Sequence, residues 1–162
     1  MSRTLPIVVA LFSGLVSGCG NSSSPEKMVA AATALDQQYI DALNKGDVGA
    51  VMELYPSNAE IVSYAPDGSR LQGWQAIRDY YAKAITSAPR AKYEFTSAHN
   101  KAVGNVVLGW GTFRGTVQGR SGSPVVIEGR YTDVKTVTDG KWGYIMEHGS
   151  LLSPPTGTAP KS

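Results

Sequence analysis

From Lys92 onward the chain offers four strand-length segments in succession, Lys92–Val103, Val106–Gln118, 125–137 and 142–151, separated only by short breaks. The breaks are Gly104-Asn105, the glycine- and serine-rich stretch 119–123, and Asp139-Gly140. These residues tolerate the backbone angles of tight turns, and Asp-Gly is a strong hairpin signal. Consecutive strands joined this closely pair antiparallel, so the second half of the chain is predicted to be one meander. Gly109, Gly111 and Gly115 share one parity of its second strand. Glycines so placed permit sharp bending or close approach of another group to the backbone.

The first half carries a different period. Ser24-Pro25-Glu26 is a helix start, with a capping serine, proline at the first position and an acid near the positive end of the helix dipole. Met28, Ala32, Leu35, Tyr39 and Ala42/Leu43 then recur every three to four residues, and Asn44-Lys45-Gly46 supplies the stop. Asp47 caps a short second helix that Pro56 terminates. Residues 59–64 read as a strand and Pro66-Asp67-Gly68 as a turn. A third helix is predicted from Gly73 to about Ser87, with Trp74, Ile77, Tyr81 and Ala84/Ile85 on one stripe. Helices followed by a meander make an α+β fold, with three helices packed in the concave face of a curved antiparallel sheet. Such a sheet leaves a cone-shaped cavity, and concave sites are where ligands bind.

Ahead of this unit, Arg3 and the apolar run 5–16 have the make-up of a signal peptide, too short for a membrane span. Leu15-Val16-Ser17-Gly18-Cys19 resembles a bacterial lipobox, and Cys19, the single cysteine of the chain, is the expected lipid acceptor. The expected organisation is a lipoprotein signal peptide at 1–18, a lipidated tether at 19–24, the domain at 25–152 and a proline-rich tail at 153–162. Gly20, which is not aspartate, resembles the pattern of lipoproteins passed to the outer membrane. The expected location is therefore the cell envelope, on the periplasmic side of that membrane in a diderm host.

The formal charge of +2 is spread without a Lys/Arg cluster, which speaks against nucleic acid as a partner. Two histidines without cysteine or carboxylate at ligand spacing do not make a zinc site. No glycine-rich phosphate loop opens a helix after a strand, and no cofactor is expected.

Several motifs resemble those of the nuclear transport factor 2-like superfamily. They are Tyr39-Ile40-Asp41-Ala42-Leu43-Asn44-Lys45-Gly46-Asp47 with Val51-Met52-Glu53-Leu54-Tyr55, and Gly73-x-x-x-Ile77-x-x-Tyr80-Tyr81. Asp139-Gly140-Lys141-Trp142 with His148-Gly149-Ser150 is similar to the last hairpin of its SnoaL-like branch. The resemblance implies the cone-shaped, cystatin-like fold over 25–152, and it leaves the chemistry open. Ketosteroid isomerases of that superfamily use a helix tyrosine and a protonated aspartate as oxyanion hole, with a second aspartate as base. Their tyrosine falls on Tyr39 and their oxyanion aspartate on Asp133, but their base falls on Ser63, which lacks the pKa for that task.

If Asp133 points inward, strand alternation turns Tyr131 inward as well, and the same alignment turns Ile145 and Glu147 inward with His148 on the other face. A bulge would exchange those faces. Candidate pocket residues are thus Tyr39, Ser63, Trp74, Tyr131, Asp133, Ile145, Glu147 and His148. Trp110 is expected in the core and His99 on the surface. The preferred function is a domain that binds a small apolar or amphipathic ligand and is held at a membrane by its lipid. The alternatives are an acid/base isomerase, cyclase or lyase working next to a carbonyl, and a homodimeric interaction module. A buried carboxylate or histidine deep in the cavity, with a strongly perturbed pKa, would mark the enzyme.

Overall fold

A computed structural model describes residues 24–57, 61–119 and 122–152. Cys19, the signal peptide, the tail, the start of the predicted 59–64 strand and part of the 119–123 loop lie outside the described residues. Among those described, no helix is long and apolar enough to cross a membrane.

Helix α1 runs Pro25–Lys45, as its caps predict. The Ser24 hydroxyl accepts from Lys27 N, and Gly46 turns left-handed (φ 69°) to take the carbonyls of Ala42 and Leu43. Asp47 caps α2, Val48–Met52, by accepting from Ala50 N at 3.0 Å. Helix α3 covers Trp74–Ser87. The strands are β1 Val62–Tyr64, β2 Arg70–Gln72, β3 Lys92–Val103, β4 Val106–Gln118, β5 Pro124–Thr138 and β6 Lys141–Leu151. Asp139 and Gly140 both take positive φ in the β5–β6 hairpin (52° and 79°), the geometry that a two-residue turn needs.

The six strands form one sheet in the order β2-β1-β6-β5-β4-β3. Strands β3–β6 form the expected antiparallel meander, and two features extend the sheet beyond it. Residues 70–72, to which the sequence assigned no element, form β2, and β1 joins β6 in parallel while all other pairs are antiparallel. A parallel neighbour needs a long crossover. Here the crossover is α3 and the whole β3–β5 meander, so no local sequence signal announces it.

Helix α1 is tied to the sheet through Asn44, whose side chain donates to Tyr93 O (2.9 Å) and accepts from Tyr93 N (2.7 Å). The core of Leu35, Val51, Leu54, Ile61, Ile77 and Tyr144 lies between the helices and the inner face of the sheet. Trp110, expected in the core, is instead 43% exposed, because alternation on β4 sends the buried Val107 and Gly109 inward and Leu108 and Trp110 outward. His99 is exposed and stacks on Trp110, with ring centroids 5.6 Å apart.

Candidate functional site

Between α1, α3 and the inner face of the sheet lies a cavity of about 310 Å³. Its walls are mainly apolar, including Ile40, Leu43, Ile85, Phe113, Ile127 and Leu151. One register line of the sheet supplies the polar groups. Ser63 on β1 is the neighbour of Glu147 on β6, which pairs with Asp133 on β5, then Gly109 on β4, then Asn100 on β3. Ser63, Glu147 and Asp133 all line the cavity. Gly109 is required at its place, because a Cβ there would run into the Asp133 carboxylate. One step along, a Cβ on Gly111 would strike the ring of Tyr131 and the carbonyl of Ser97. The glycines of β4 therefore clear room for the inward side chains of β5.

The acids on this line sit in two different networks. Asp133 is 5% exposed and faces Lys135 Nζ at 2.9 Å, an ionic contact outside hydrogen-bond alignment. Lys135, completely buried, also contacts Asp36 Oδ1 at 2.8 Å and donates to Asn100 Oδ1 at 2.9 Å. Asp36 further accepts from Tyr144 OH (2.7 Å) and from Asn100 Nδ2 (2.8 Å). Burial pushes the Asp133 carboxyl up to about 6, and the Lys135 ammonium restrains the rise. At neutral pH Asp133 is then mainly an ionised acceptor, not the protonated donor of an oxyanion hole.

Glu147 belongs to a chain of hydroxyls. It accepts from Tyr55 OH at 2.6 Å, and Tyr81 OH is shared between Tyr55 OH (3.1 Å) and Tyr39 OH (2.8 Å). Burial raises Glu147 to about 7, the Tyr55 bond opposes the rise, and the charge of Asp133 adds to it. Burial likewise lifts the phenols of Tyr39, Tyr55 and Tyr81 well above their ordinary value, so they remain protonated donors. Tyr131 lines the cavity with its hydroxyl buried and without a hydrogen-bond partner.

Tyr39, Ser63, Tyr131, Asp133, Glu147 and His148 all border this cavity. His148 does so from an exposed position, its ring edge-on to Tyr64. Trp74 and Ile145 do not border it. Trp74 is the first residue of α3, where its indole N–H reaches Met52 O (3.4 Å), and it faces a separate depression beside Trp142. Ile145 is the extra residue of a bulge: Val134 pairs with Met146 but Lys135 with Tyr144. The bulge lets Tyr144 and Glu147, of opposite parity, both face inward, while Ile145 packs against the core.

Sequence reasoning missed Asp36, Tyr55, Tyr81, Lys135 and Tyr144 as site members. Two of them carried a usable signal. Asp36 is in phase with the buried Met28 and Ala32 on α1, and Lys135 has the same strand parity as Asp133. Among the described residues, no group of three or more His, Cys, Asp or Glu is placed to hold a metal ion.

The family model of the SnoaL-like domain matches residues 37–145. No curated protein sequence matches the chain. Among solved structures, a nuclear transport factor 2-like protein from Salmonella enterica serovar Typhimurium superposes with TM-score 0.72 at 18% identity, covering 85% of this chain and 99% of that one. A candidate dehydratase of the same family from Streptomyces avermitilis gives TM-score 0.72 at 18% identity, over 80% of this chain and 99% of its own. A hexachlorocyclohexane dehydrochlorinase gives 0.68 at 15%, over 82% and 91%. At such identities the likeness concerns the fold.

Proposed function

Because this chain belongs to the SnoaL-like domain family, we propose that it is a small-molecule-binding domain held at a bacterial envelope membrane by a lipid on Cys19. Its ligand is a small apolar or amphipathic molecule seated in the cone. One observation carries this reading: a cavity of about 310 Å³ with apolar walls and one line of polar side chains, Ser63, Glu147 and Asp133. Mostly apolar pockets with a few convergent polar groups are the usual form of a small-molecule site. A filled cone would instead have suited a pure interaction module. Native mass spectrometry of the domain purified from its own host should find a retained small molecule. Ala84→Trp, which places an indole in the cavity wall, should expel it. A protein empty in both forms, with no uptake of apolar dyes, would sink the reading. Anchoring is tested separately: Cys19→Ala should abolish fatty-acid labelling.

A second reading, acid/base catalysis, is favoured by Glu147. It lies in the cavity, is hydrogen-bonded to Tyr55 at 2.6 Å, and is raised to about 7, close to where a general base works well. The carboxylate missing from Ser63 is thus supplied by the neighbouring strand. A generic carbon acid such as 5-nitrobenzisoxazole reports on this directly. A base removes its C–H proton, the N–O bond breaks, and a coloured phenolate forms. Turnover lost in Glu147→Gln would support catalysis, and turnover unchanged by it would exclude Glu147 as the base.

The outer face of the sheet carries Leu108, Trp110 and Met146, each 38–45% exposed. Apolar surface of this kind is usually covered, and the occupant we propose is a second copy of the chain. Light scattering should give a dimer mass that Trp110→Glu converts to a monomer.

A further inference from the structure

Lys135 sits beside the polar line, in contact with Asp133, but does not border the cavity. Its side chain is fully buried, and its ammonium has oxygen neighbours in Asp36, Asn100 and Asp133. The lining includes three acids, Asp67, Asp133 and Glu147, and neither lysine nor arginine. Asp67 is exposed and engaged with Ser69 N at 2.9 Å, so the inner charge is that of Asp133 and Glu147. Even with Lys135 counted, two negative charges are left over when Asp36, Asp133 and Glu147 are all ionised. A carboxylate or phosphate brought into this space would lose its hydration and meet like charge with no lysine or arginine to receive it, the exposed His148 being the one basic side chain among the described lining residues.

The walls add a second, independent feature. Aromatic rings surround the same space, among them Tyr39, Tyr81, Phe95, Phe113, Tyr131 and Tyr144. Ring faces are negative, and several rings around one site attract cations in addition to apolar groups. Tyr144 already shows this preference toward Lys135, whose Nζ lies over its ring 5.3 Å from the centroid. The buried Tyr131 hydroxyl, without a partner in the protein, is free to accept a hydrogen bond from a ligand N–H.

We propose that the molecule bound in the cone is a small apolar cation, an amine carrying an aromatic or aliphatic body, with its ammonium at Glu147 and Asp133 and its body against the aromatic wall. The proposal rests on the reading of the cone as a ligand site and names the ligand's chemical class. Fatty acids, acyl phosphates and other anions of the same size are then excluded by charge, although the walls would accept their tails. Bringing an ammonium beside Glu147 also favours its ionised form, so a cation strengthens the pairing it enters.

The test is a matched series on one skeleton, naphthylmethylamine, naphthylmethanol and naphthoate, titrated into the wild-type domain by calorimetry at mildly alkaline pH. The amine should bind about tenfold or more tighter than the alcohol, with naphthoate weakest. Glu147→Gln, checked for folding by circular dichroism, should reduce amine affinity by about tenfold and leave the alcohol within about threefold. Naphthoate binding as tightly as the amine, or the alcohol matching it, would overturn the charge assignment while the ligand site itself stands. Failure of all three to bind, with apolar dyes also excluded, would instead remove the ligand site and the inference together.

Discussion

The two networks beside the cavity hold acids on neighbouring strands, Asp133 buried and Glu147 half-buried, yet they meet the cost in opposite ways. Asp36 and Asp133 share an internal cation, and Asn100 and Tyr144 donate further hydrogen bonds to Asp36. Glu147 receives only a phenol, Tyr55, backed by Tyr81 and Tyr39, and none of these carries positive charge. The first network carries its own counter-charge. The second leaves a carboxylate with spare accepting capacity in the cavity. Two carboxyls paired directly across neighbouring strands therefore differ in their surroundings: Asp133 has the Lys135 cation beside it, and Glu147 has only phenols.

Removing the cation should break the contrast most severely. Lys135→Met leaves Asp36 and Asp133 buried at neutral pH without a counter-charge. Loss of one partner of a buried pair typically costs about 3–5 kcal/mol. Urea unfolding should show that loss in the wild-type background, and adding Asp133→Asn should recover part of it. Glu147→Gln should be close to neutral or mildly stabilising in the same assay, because it deletes an uncompensated charge. Equal destabilisation by both variants would mean that the two networks are not different in kind.

Gly109 marks where the first network leaves no slack. Gly109→Ala would put a methyl into the space held by the Asp133 carboxylate, and overpacking of this sort costs about 1–3 kcal/mol. In the background of Asp133→Ala, which empties that space, the same substitution should be nearly free. A double-mutant cycle in denaturant measures the coupling, and strict additivity would count against the contact.

The two acids can also be told apart by pH. Burial raises Asp133 to about 6 and Glu147 to about 7 in the folded protein, while in the unfolded chain both return to roughly 4. Between those values the native state holds more protons than the unfolded one. Stability is therefore full at the lower end and falls as pH rises. From about pH 5 to pH 8 the loss should be about 4 kcal/mol at most, read as a falling urea midpoint. Glu147→Gln should flatten the upper part of the slope, above about pH 6, and leave the Asp133 part below it. A midpoint that climbs through this range would reverse the sign and refute the burial of neutral acids.

How much of this was legible in the sequence follows from where each signal lives. Caps and stops are local, and Ser24, Gly46 and Asp139-Gly140 marked their elements to the residue. Strand parity is local too, and on β5 it puts Tyr131, Asp133 and Lys135 on the inner face together. The bulge at Ile145 is not local, because it exists only in the pairing of β6 with β5. It keeps Ile145 off the cavity while bringing Tyr144 to it. The parallel pairing of β1 with β6 is remoter still, and it alone makes Ser63 and Glu147 neighbours. Read residue by residue, Ser63 meant an absent base; read across the sheet, the carboxylate had moved one strand over. Tyr55 and Tyr81 reach the site from the end of α2 and from α3, where only the packing of helices on the sheet could align their hydroxyls.

The finest distinction lies inside the second network, between the link that touches Glu147 and the links behind it. Tyr55 OH donates directly to the carboxylate and holds its pKa below what burial alone would set. Tyr81 and Tyr39 act only through that hydroxyl. Tyr55→Phe should therefore raise the Glu147 midpoint above about 7, followed by carbon-detected NMR of the glutamate carboxyls, whereas Tyr81→Phe should move it much less. The stability cost of Tyr55→Phe should be modest, about 1–2 kcal/mol, since one hydrogen bond to a charged group is lost and the ring still packs. The same shift should appear as an upward displacement of the pH at which an amine begins to bind, because the ammonium selects the ionised carboxylate. If Tyr81→Phe moves the midpoint as far as Tyr55→Phe does, the three hydroxyls act as one cooperative unit, and Tyr39, which borders the cavity, would then be a second way for a ligand to set the charge of Glu147.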